Sequence, residues 1–275
     1  MSQIAQSSVQ NLLLRSIPAA EFETIQAHME WIDFDLGDVL CEPKQKIQHA
    51  LFIEDGVCSV IAVNKIGASI ETGLVGKEGF LGASILLNIH HSSHQLVAHG
   101  VGRALKIPFQ NLTEALGSCQ RLNTILLHFI HTFNLQIAHT ALANAYYTIE
   151  QRLARWLLMA QDRLGAAQFR VTHEFLAVRL AVRRSSVTAA LHLLEGKHVI
   201  RSTRSQVRII SRAGLEEVAA GSYGTPEDEY ENLICRMRRP THEFDQPELE
   251  PPKGKRTDTD IGQPFRLLLN RASTN

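Results

Sequence analysis

Apolar residues between positions 172 and 201 form two short stripes at helical spacing. Because residues three and four apart share one face of an α-helix, the pattern predicts two amphipathic helices. Thr172 is placed to cap the first helix, and the second is predicted to begin at Arg184 or Ser185. The stripes are Phe175, Leu176 and Leu180, followed by Val187, Ala190, Leu191 and Leu194.

The face of the second predicted helix opposite its apolar stripe is small and polar. Arg183 and Arg184 precede this face. A helix that enters the DNA major groove needs small side chains for close approach and arginines for phosphates and guanine edges. A helical hairpin with solvated arginines is the alternative interpretation. The polar face comprises Ser185, Ser186, Thr188, Ala189 and His192.

The residues after the second stripe predict a helix end and a strand pair. Gly196 is predicted to stop the helix, and residues 200–210 are rich enough in β-branched residues to form a two-stranded wing. Arg201, Arg204 and Arg208 lie on this wing, beside the second helix. Two helices, a tight turn and a wing favour a DNA-reading unit.

From residue 171 to residue 210 the chain resembles the winged helix-turn-helix of the Crp–Fnr family of bacterial regulators. The resemblance implies that Arg184 reads guanine and that Thr172, Arg183 and Ser186 contact the DNA backbone. Ser185 and Ala189 stand where the cyclic-AMP receptor that gives the family its name has Glu and a second Arg, so a different operator is expected.

The turn between the two predicted helices often holds Gly, because Gly adopts positive φ freely. This chain has Ala181 there, at an expected cost of about 1 kcal/mol.

Short strand-like runs separated by glycine turns fill residues 31–108 and indicate a β-sandwich or barrel-like roll. The segments GDVL at 37–40, LFIEDGV at 51–57 and GFLG at 79–82 resemble the glycine landmarks of the cyclic-nucleotide-binding fold in the same family. The resemblance implies an α+β protein with an N-terminal cyclic-nucleotide-binding-like β-roll, a long dimerisation helix and a C-terminal winged helix-turn-helix.

The candidate ligand pocket of the roll comprises Gly82, Ala83, Ser92 and Ser93. Nucleotide-binding members of the family have a Glu for the ribose hydroxyl and an Arg-Ser pair for the cyclic phosphate at the corresponding positions. A buried phosphate without a cationic partner is costly. We therefore expect that the roll does not bind cyclic AMP in the usual way, and the effector stays unknown.

Histidines and cysteines give two further observations on cofactors. His90, His91, His94 and His99 are close in sequence, but no nearby carboxylate or Cys completes a metal site, and a solvated loop is the alternative. The four cysteines are scattered without a CxxC pair, which favours free thiols and gives no indication of an iron–sulfur cluster or structural zinc. No cofactor or metal is therefore expected. The cysteines are Cys41, Cys58, Cys119 and Cys235.

Apolar positions recur at steps of three and four over residues 122–141 and predict a long helix without Pro or Gly. The resemblance implies that this helix is the parallel dimer seam, whereas packing on the roll is the alternative. His128, His131 and His139 are then packing residues. The stripe comprises Leu122, Ile125, Leu126, Phe129, Ile130, Phe133, Ile137 and Ala141.

Charge is unevenly distributed although the chain has 28 Lys and Arg against 28 Asp and Glu. Residues 150–220 hold 12 basic against 6 acidic side chains, where a polyanion would bind. The helix predicted over residues 148–164 has Arg152, Arg155 and Arg163 on its outer face.

The predicted organisation has five parts: an N-terminal helical segment (1–30), the sensor roll (31–118), the dimerisation helix and hinge (119–146), the winged helix-turn-helix (147–220) and a disordered tail (221–275). Arg236, Arg238 and Arg239 in the tail either contact phosphates or belong to a solvated linker. The chain shows no membrane-length apolar run and no signal peptide, so a cytoplasmic protein is expected.

The predicted function is that of a homodimeric transcription regulator that binds a two-fold operator in double-stranded DNA. The resemblance implies RNA polymerase as a further partner. The alternatives are a constitutive DNA-binding protein with a degenerate sensor and a small-molecule-binding protein without DNA function. The sequence contains no phosphate-binding Gly-rich loop, GxSxG or HExxH, so an enzyme is not expected.

Overall fold

The computed structural model describes residues 4–203 and 205–236. Between residues 30 and 108, the short strand-like segments form two four-stranded antiparallel sheets with the orders β1-β8-β3-β6 and β2-β7-β4-β5. The predicted β-roll is therefore confirmed. The strands are β1 (Glu30–Phe34), β2 (Val39–Cys41), β3 (His49–Asp55), β4 (Cys58–Val63), β5 (Ser69–Val75), β6 (Phe80–Leu81), β7 (Gln95–Ala98) and β8 (Gly102–Pro108).

Strand register divides the first sheet into two apolar faces. Phe52 pairs with Phe80 and Leu105, and these three side chains are almost fully buried on the same face. The Phe80 ring also lies 5.4 Å from that of Phe129, so this face packs against a helix. Residues such as Leu51 point to the opposite face, toward the second sheet, because successive side chains alternate along a strand.

Three helices cover the roll. They are α1 (Ala19–Gln26), which begins directly after Pro18, α2 (Phe109–Leu116) and the 27-residue α3 (Gln120–Tyr146). The side-chain amide of Gln136 on α3 accepts a hydrogen bond from Leu74 N at 2.7 Å and donates one to Leu74 O at 3.3 Å, so it pairs with β5 like a strand residue. Gly79 lets α3 approach closely, since a Cβ there would overlap the Phe129 ring.

The apolar stripe of α3 does not form one continuous dimer interface. Leu122, Ile125, Leu126 and Phe129 are buried in the core of the same chain's roll, so their assignment to a dimer seam was wrong. A 3.6-residue period shows that one face is buried but not what buries it. A second set of apolar or small side chains is exposed on α3: Leu127, Ala138, Ala141, Leu142 and Ala145.

The chain after α3 forms most of a second core, to which Val57 and Leu74 of the roll also contribute. Thr148 caps α4 through a capping box, and Gly165 ends that helix at φ 64°. The wing has three strands, because β9 pairs with β11, so the prediction of a two-stranded wing was incomplete. The elements are α4 (Ile149–Leu164), β9 (Gln168–Arg170), α5 (His173–Arg179), α6 (Arg184–Gly196), β10 (Ile200–Thr203), β11 (Gln206–Ile209) and α7 (Arg212–Ala219).

Two arginines of α4 face inward, contrary to the prediction that they lie outside. Arg155 donates to Ser222 O at 2.9 Å, and Arg163 forms an ion pair of 2.9 Å with Glu78 and donates to Leu74 O at 3.1 Å. Both side chains are buried. Periodicity alone does not reveal this, since arginine is usually found in solvent unless a buried partner is present.

The predicted disordered tail is wrong for its first part. The chain forms α8 (Thr225–Tyr230) and a π-helical turn (Glu231–Cys235) that contact α3. The Tyr230 hydroxyl donates to Glu78 O at 2.8 Å, and Ile234 is fully buried in the core of the roll. The rest of the predicted tail, including Arg238 and Arg239, lies outside the described residues.

Candidate DNA-binding surface and ligand cavity

The turn between α5 and α6 has the geometry that the sequence predicted. The Thr172 hydroxyl accepts a hydrogen bond from Phe175 N at 3.1 Å, which caps α5. Ala181 has φ 51°, and Val182 N donates to Ala177 O at 2.9 Å across the turn. α6 then begins at Arg184, as predicted.

α6 has one buried and one exposed face. Val187, Ala190, Leu191 and Leu194 lie in the second core. The residues at the other face and its N-terminal end are exposed, so the helix presents two guanidinium groups and small side chains to solvent. The exposed residues are Arg183, Arg184, Ser185, Ala189 and His192.

Two residues of the predicted polar face are less accessible. Ser186 and Thr188 are partly buried. The Thr188 hydroxyl donates to Arg184 O at 3.1 Å and lies 2.9 Å from Nδ1 of His173, so both of its hydrogen-bonding roles are occupied within the domain. Thr188 therefore joins α5 to α6 rather than presenting a free hydroxyl.

The end of α6 differs from the prediction. Gly196 is the last residue of the helix and has no positive φ, whereas His198 has φ 57°. His198 is exposed and makes the left-handed turn toward the wing. Ser202 N then donates to Glu195 Oε1 at 2.6 Å, which attaches the first wing strand to the end of α6.

The wing carries adjacent basic residues. Arg201 on β10 stands directly opposite Arg208 on β11, and both are exposed. Like charges directly opposite each other in a sheet destabilise it, so a nearby polyanion would relieve this repulsion. Arg204, also predicted to contact DNA, lies outside the described residues.

Arg170 is a further candidate that the sequence pattern did not reveal. It is exposed on β9 and pairs with Gln206 in the same three-stranded sheet as Arg201 and Arg208. A run of only three strand residues gives little periodic signal, so its membership of the wing was not visible.

The basic residues between positions 150 and 220 fall into two groups. Arg155 and Arg163 are buried, and Arg212 pairs with Asp162 at 2.7 Å and with Glu216 at 2.9 Å. These cations stabilise the fold. Exposed arginines in the described part of this region lie on β9, at the start of α6 and on the wing: Arg170, Arg183, Arg184, Arg201 and Arg208.

A cavity of about 500 Å³ lies between the two sheets of the roll and α3. All four predicted pocket residues, Gly82, Ala83, Ser92 and Ser93, line it. The Ser92 hydroxyl is already engaged, since it donates to His94 O at 2.6 Å. No arginine, aspartate or glutamate lines this cavity among the described residues.

The structure separates the clustered histidines. The His90 ring packs on Phe109 with a centroid distance of 4.6 Å, His94 lines the cavity, and His99 is directed toward Glu71. In residues 4–203 and 205–236, no group of three or more His, Cys, Asp or Glu is arranged to hold a metal ion.

A buried polar cluster joins the roll to the winged helix-turn-helix, and the sequence pattern did not reveal it. Its centre is the Glu71 carboxylate of β5, which accepts a hydrogen bond from the Ser59 hydroxyl and lies 3.4 Å from His99 Nε2. Trp156 of α4 donates to this carboxylate, and Arg179 of α5 lies 3.8 Å away. Burial lowers the pKa of His99 more than its interactions with Glu71 raise it. A single Glu in a strand gave no signal of these long-range contacts.

Comparisons with known proteins agree with this geometry. Residues 151–218 match the Crp-like helix-turn-helix domain. None of the curated proteins compared by sequence matches this chain. No helix within the described residues has the length and apolar character required to span a bilayer.

Several solved structures share the fold over most of the chain. A transcriptional regulator of the Crp/Fnr family from Eubacterium rectale is 14% identical with a TM-score of 0.60, covering 76% of this chain and 98% of that one. The c-di-GMP responsive global regulator CLP of Xanthomonas campestris is 16% identical with a TM-score of 0.59, covering 76% and 100%. FixK2 from Bradyrhizobium japonicum is 14% identical with a TM-score of 0.61, covering 69% and 96%.

These findings define a protein with a winged helix-turn-helix and a cyclic-nucleotide-binding-like roll. Residues 151–218 are a Crp-like helix-turn-helix domain, and the chain has the fold of Crp/Fnr family transcriptional regulators. The predicted helix-turn-helix and the α+β fold class are thus confirmed.

Proposed function

We propose that this protein is a transcription regulator of the Crp–Fnr type that binds a two-fold operator in double-stranded DNA as a homodimer. The observation that carries the proposal is the exposed face of α6, which starts with Arg183 and Arg184 and continues with Ser185 and Ala189. Small residues on this face allow the helix to enter the major groove, and the arginines supply charge and base recognition at its entrance.

The contacts divide into base reading and backbone positioning. Arg184 is the proposed base-reading residue, with Ser185 and Ala189 facing the groove floor. Arg183 and Ser186 contact phosphates near the N-terminal end of α6, where backbone N–H groups also favour an anion. Thr172 contacts the DNA backbone at the N-terminal end of α5. Wing contacts come from Arg170, Arg201, Arg204 and Arg208.

Dimerisation uses the face of α3 that the roll leaves exposed. Leu127 and Leu142 are 45% and 44% exposed, and Ala138, Ala141 and Ala145 lie between or beside them. Large apolar side chains together with small ones suit close packing of two parallel helices. A two-fold pair of α6 helices then matches an operator with two half-sites. Regulation of transcription at the bound promoter would involve RNA polymerase as a further partner.

The same helix connects the cavity with the proposed seam. Phe133 and Ile137 of α3 line the cavity, and Ala138 and Ala141 lie on its exposed face. An effector in the cavity would bias how the two α3 helices pack and thereby the separation of the two DNA-reading heads. Cyclic AMP is not the proposed effector, because Ala83, Ser92 and Ser93 provide neither a carboxylate nor a guanidinium.

The test is selection of binding sites from fragmented genomic DNA, followed by fluorescence anisotropy of the selected site at 50 and 200 mM salt. We expect a palindromic consensus and an affinity that falls steeply with salt, because each neutralised phosphate contributes about 0.9 to the log–log slope. Scrambled DNA of the same length is the control. Equal affinity for selected and scrambled DNA, or a salt-independent affinity, would contradict the proposal.

A further inference from the structure

The cavity between the sheets has charges of only one sign. Lys46 and Lys106 line it, and no acidic side chain does so among the described residues. A ligand with an anionic group therefore meets favourable charge, whereas a cationic ligand meets repulsion.

Strand register places Lys106 on the cavity side of β8. Leu105 and Ile107, its neighbours in sequence, are fully buried on the opposite face. Lys106 pairs with Leu51, which pairs with Leu81, and both of these residues also line the cavity. The Lys106 side chain thus lies on the cavity side of the sheet, and Lys106 is one of the lining residues.

The present partner of Lys106 is readily replaceable. Its Nζ lies 3.0 Å from Oε2 of Glu30, whose side chain is 57% exposed, so that carboxylate belongs to the rim. Exposed ion pairs contribute little because water solvates both partners well. A ligand carboxylate arriving from the cavity side would exchange one oxygen partner for another.

Apolar residues line much of the remaining cavity wall, and its polar residues Gln45, Gln48 and Asn134 are exposed. Val60, Val75 and Leu96 come from the second sheet, and Phe133 and Ile137 come from α3. The Ser92 hydroxyl bonds to its own loop, and burial lowers the pKa of His49, which favours a neutral imidazole beside Lys106. A hydrocarbon body packed against the apolar residues of the two sheets and α3 would be desolvated favourably.

We propose that the cavity binds an apolar organic carboxylate, with the hydrocarbon body between the sheets and α3 and the carboxylate at Lys106. This inference rests on the proposed function only in treating the cavity as the effector site. The body contacts Phe133 and Ile137, so occupancy is sensed directly by the proposed dimer helix.

The test is isothermal titration of the full chain with decanoate and with decanamide, which have the same hydrocarbon chain and differ in charge. Decanoate is expected to bind about tenfold more tightly, which corresponds to one charge-assisted contact. Lys106→Met should remove this difference, while Lys65→Met, which changes an exposed turn residue, should keep it. Circular dichroism confirms that each variant is folded.

A second variant tests the exchange of partners without altering the cavity. Glu30→Gln removes the rim carboxylate and should tighten decanoate binding by about twofold or more, since Lys106 no longer has a competing partner. Failure of decanoate to bind, equal affinity for decanamide, or unchanged discrimination in Lys106→Met would overturn the inference. Specific DNA binding without decanoate binding would overturn this inference alone, and decanoate binding without DNA binding would overturn the proposed function alone.

Discussion

The indole Nε1 of Trp156 donates a hydrogen bond of 2.7 Å to Oε1 of Glu71, which joins helix α4 to strand β5 of the roll. Both residues are buried, and the Phe175 ring from α5 stands edge-on to His99 at a centroid distance of 4.6 Å in the same cluster. The two hydrophobic cores are therefore connected through a polar contact whose geometry depends on residues 85 positions apart.

Replacing Glu71 by Gln should lower the free energy of unfolding by about 1 to 3 kcal/mol, because a buried acceptor of several donors becomes a mixed donor and acceptor. Urea unfolding followed by tryptophan fluorescence measures this. Glu114→Gln, which changes an exposed carboxylate of α2, is the control and should stay within about 0.5 kcal/mol of the parent. Equal stability of the two variants would show that the Glu71 cluster does not stabilise the fold.

The buried histidine predicts a pH dependence of stability. Burial lowers the pKa of His99 below its ordinary value of 6.5, so the unfolded chain binds more protons there than the folded chain. The free energy of unfolding should consequently fall as the pH is lowered from about 6.5 toward the folded-state pKa. Above about pH 6.5 it should not depend on the protonation of His99. The pKa values of His49 and His94 are lowered by burial as well and act in the same direction.

Urea unfolding at pH 7.5 and pH 5.5 measures how the free energy of unfolding changes with pH. His99→Gln should reduce the loss of stability between these two pH values, whereas His91→Gln, at an exposed site, should keep the loss of the parent. An identical loss in His99→Gln and the parent would contradict the assignment to His99.

Arg184 and Arg201 should differ in what they contribute to DNA binding. Arg184→Ala is expected to cost about 1 to 3 kcal/mol at one base pair of each half-site and to relax the base preference there. Arg201→Ala should weaken binding to all sequences equally and reduce the salt slope by about 1. Competition titrations with every single-base variant of the selected operator distinguish the two patterns. A uniform loss in Arg184→Ala would show that this residue contacts only the backbone.

The exposed face of α3 predicts the oligomeric state. Leu127→Glu combined with Leu142→Glu should convert the proposed dimer to a monomer, because the seam would have to bury four uncompensated carboxylates per dimer. Sedimentation equilibrium measures the mass. Ile66→Glu, at an 89% exposed turn position away from α3, should leave the dimer intact. A dimer that survives the double substitution would place the interface elsewhere.

The turn of the helix-turn-helix predicts opposite effects of glycine at two alanines. Ala181 has φ 51°, which costs an L-residue about 1 kcal/mol or more, so Ala181→Gly should stabilise the protein by about 0.5 kcal/mol. Ala189→Gly, within α6, should destabilise it by about 1 kcal/mol. Thermal unfolding of both variants measures the effects. Destabilisation by Ala181→Gly would mean that the Ala181 methyl group makes a compensating contact.

Local chemistry in the sequence determined the helices, the strands and the family resemblance. The Thr172 cap, the start of α6 at Arg184, the turn at Ala181 and the apolar alternation of the roll are properties of neighbouring residues, and they were predicted from the sequence. Exposure of Arg183 and Arg184 followed from the same periodicity, because a helix that buries one stripe must leave the opposite one in solvent.

The tertiary structure alone decided which chain segment covers each apolar or charged face. The α3 stripe is buried by its own roll at Leu122 and Phe129, Arg155 and Arg163 turn inward to partners far away in sequence, and residues 225–235 form helical structure where a tail was predicted. The cation at Lys106 and the carboxylate at Glu71 likewise acquire their surroundings only when distant strands and helices meet. Periodicity records that a face is buried, whereas the identity of the group that buries it depends on contacts between residues far apart in the chain.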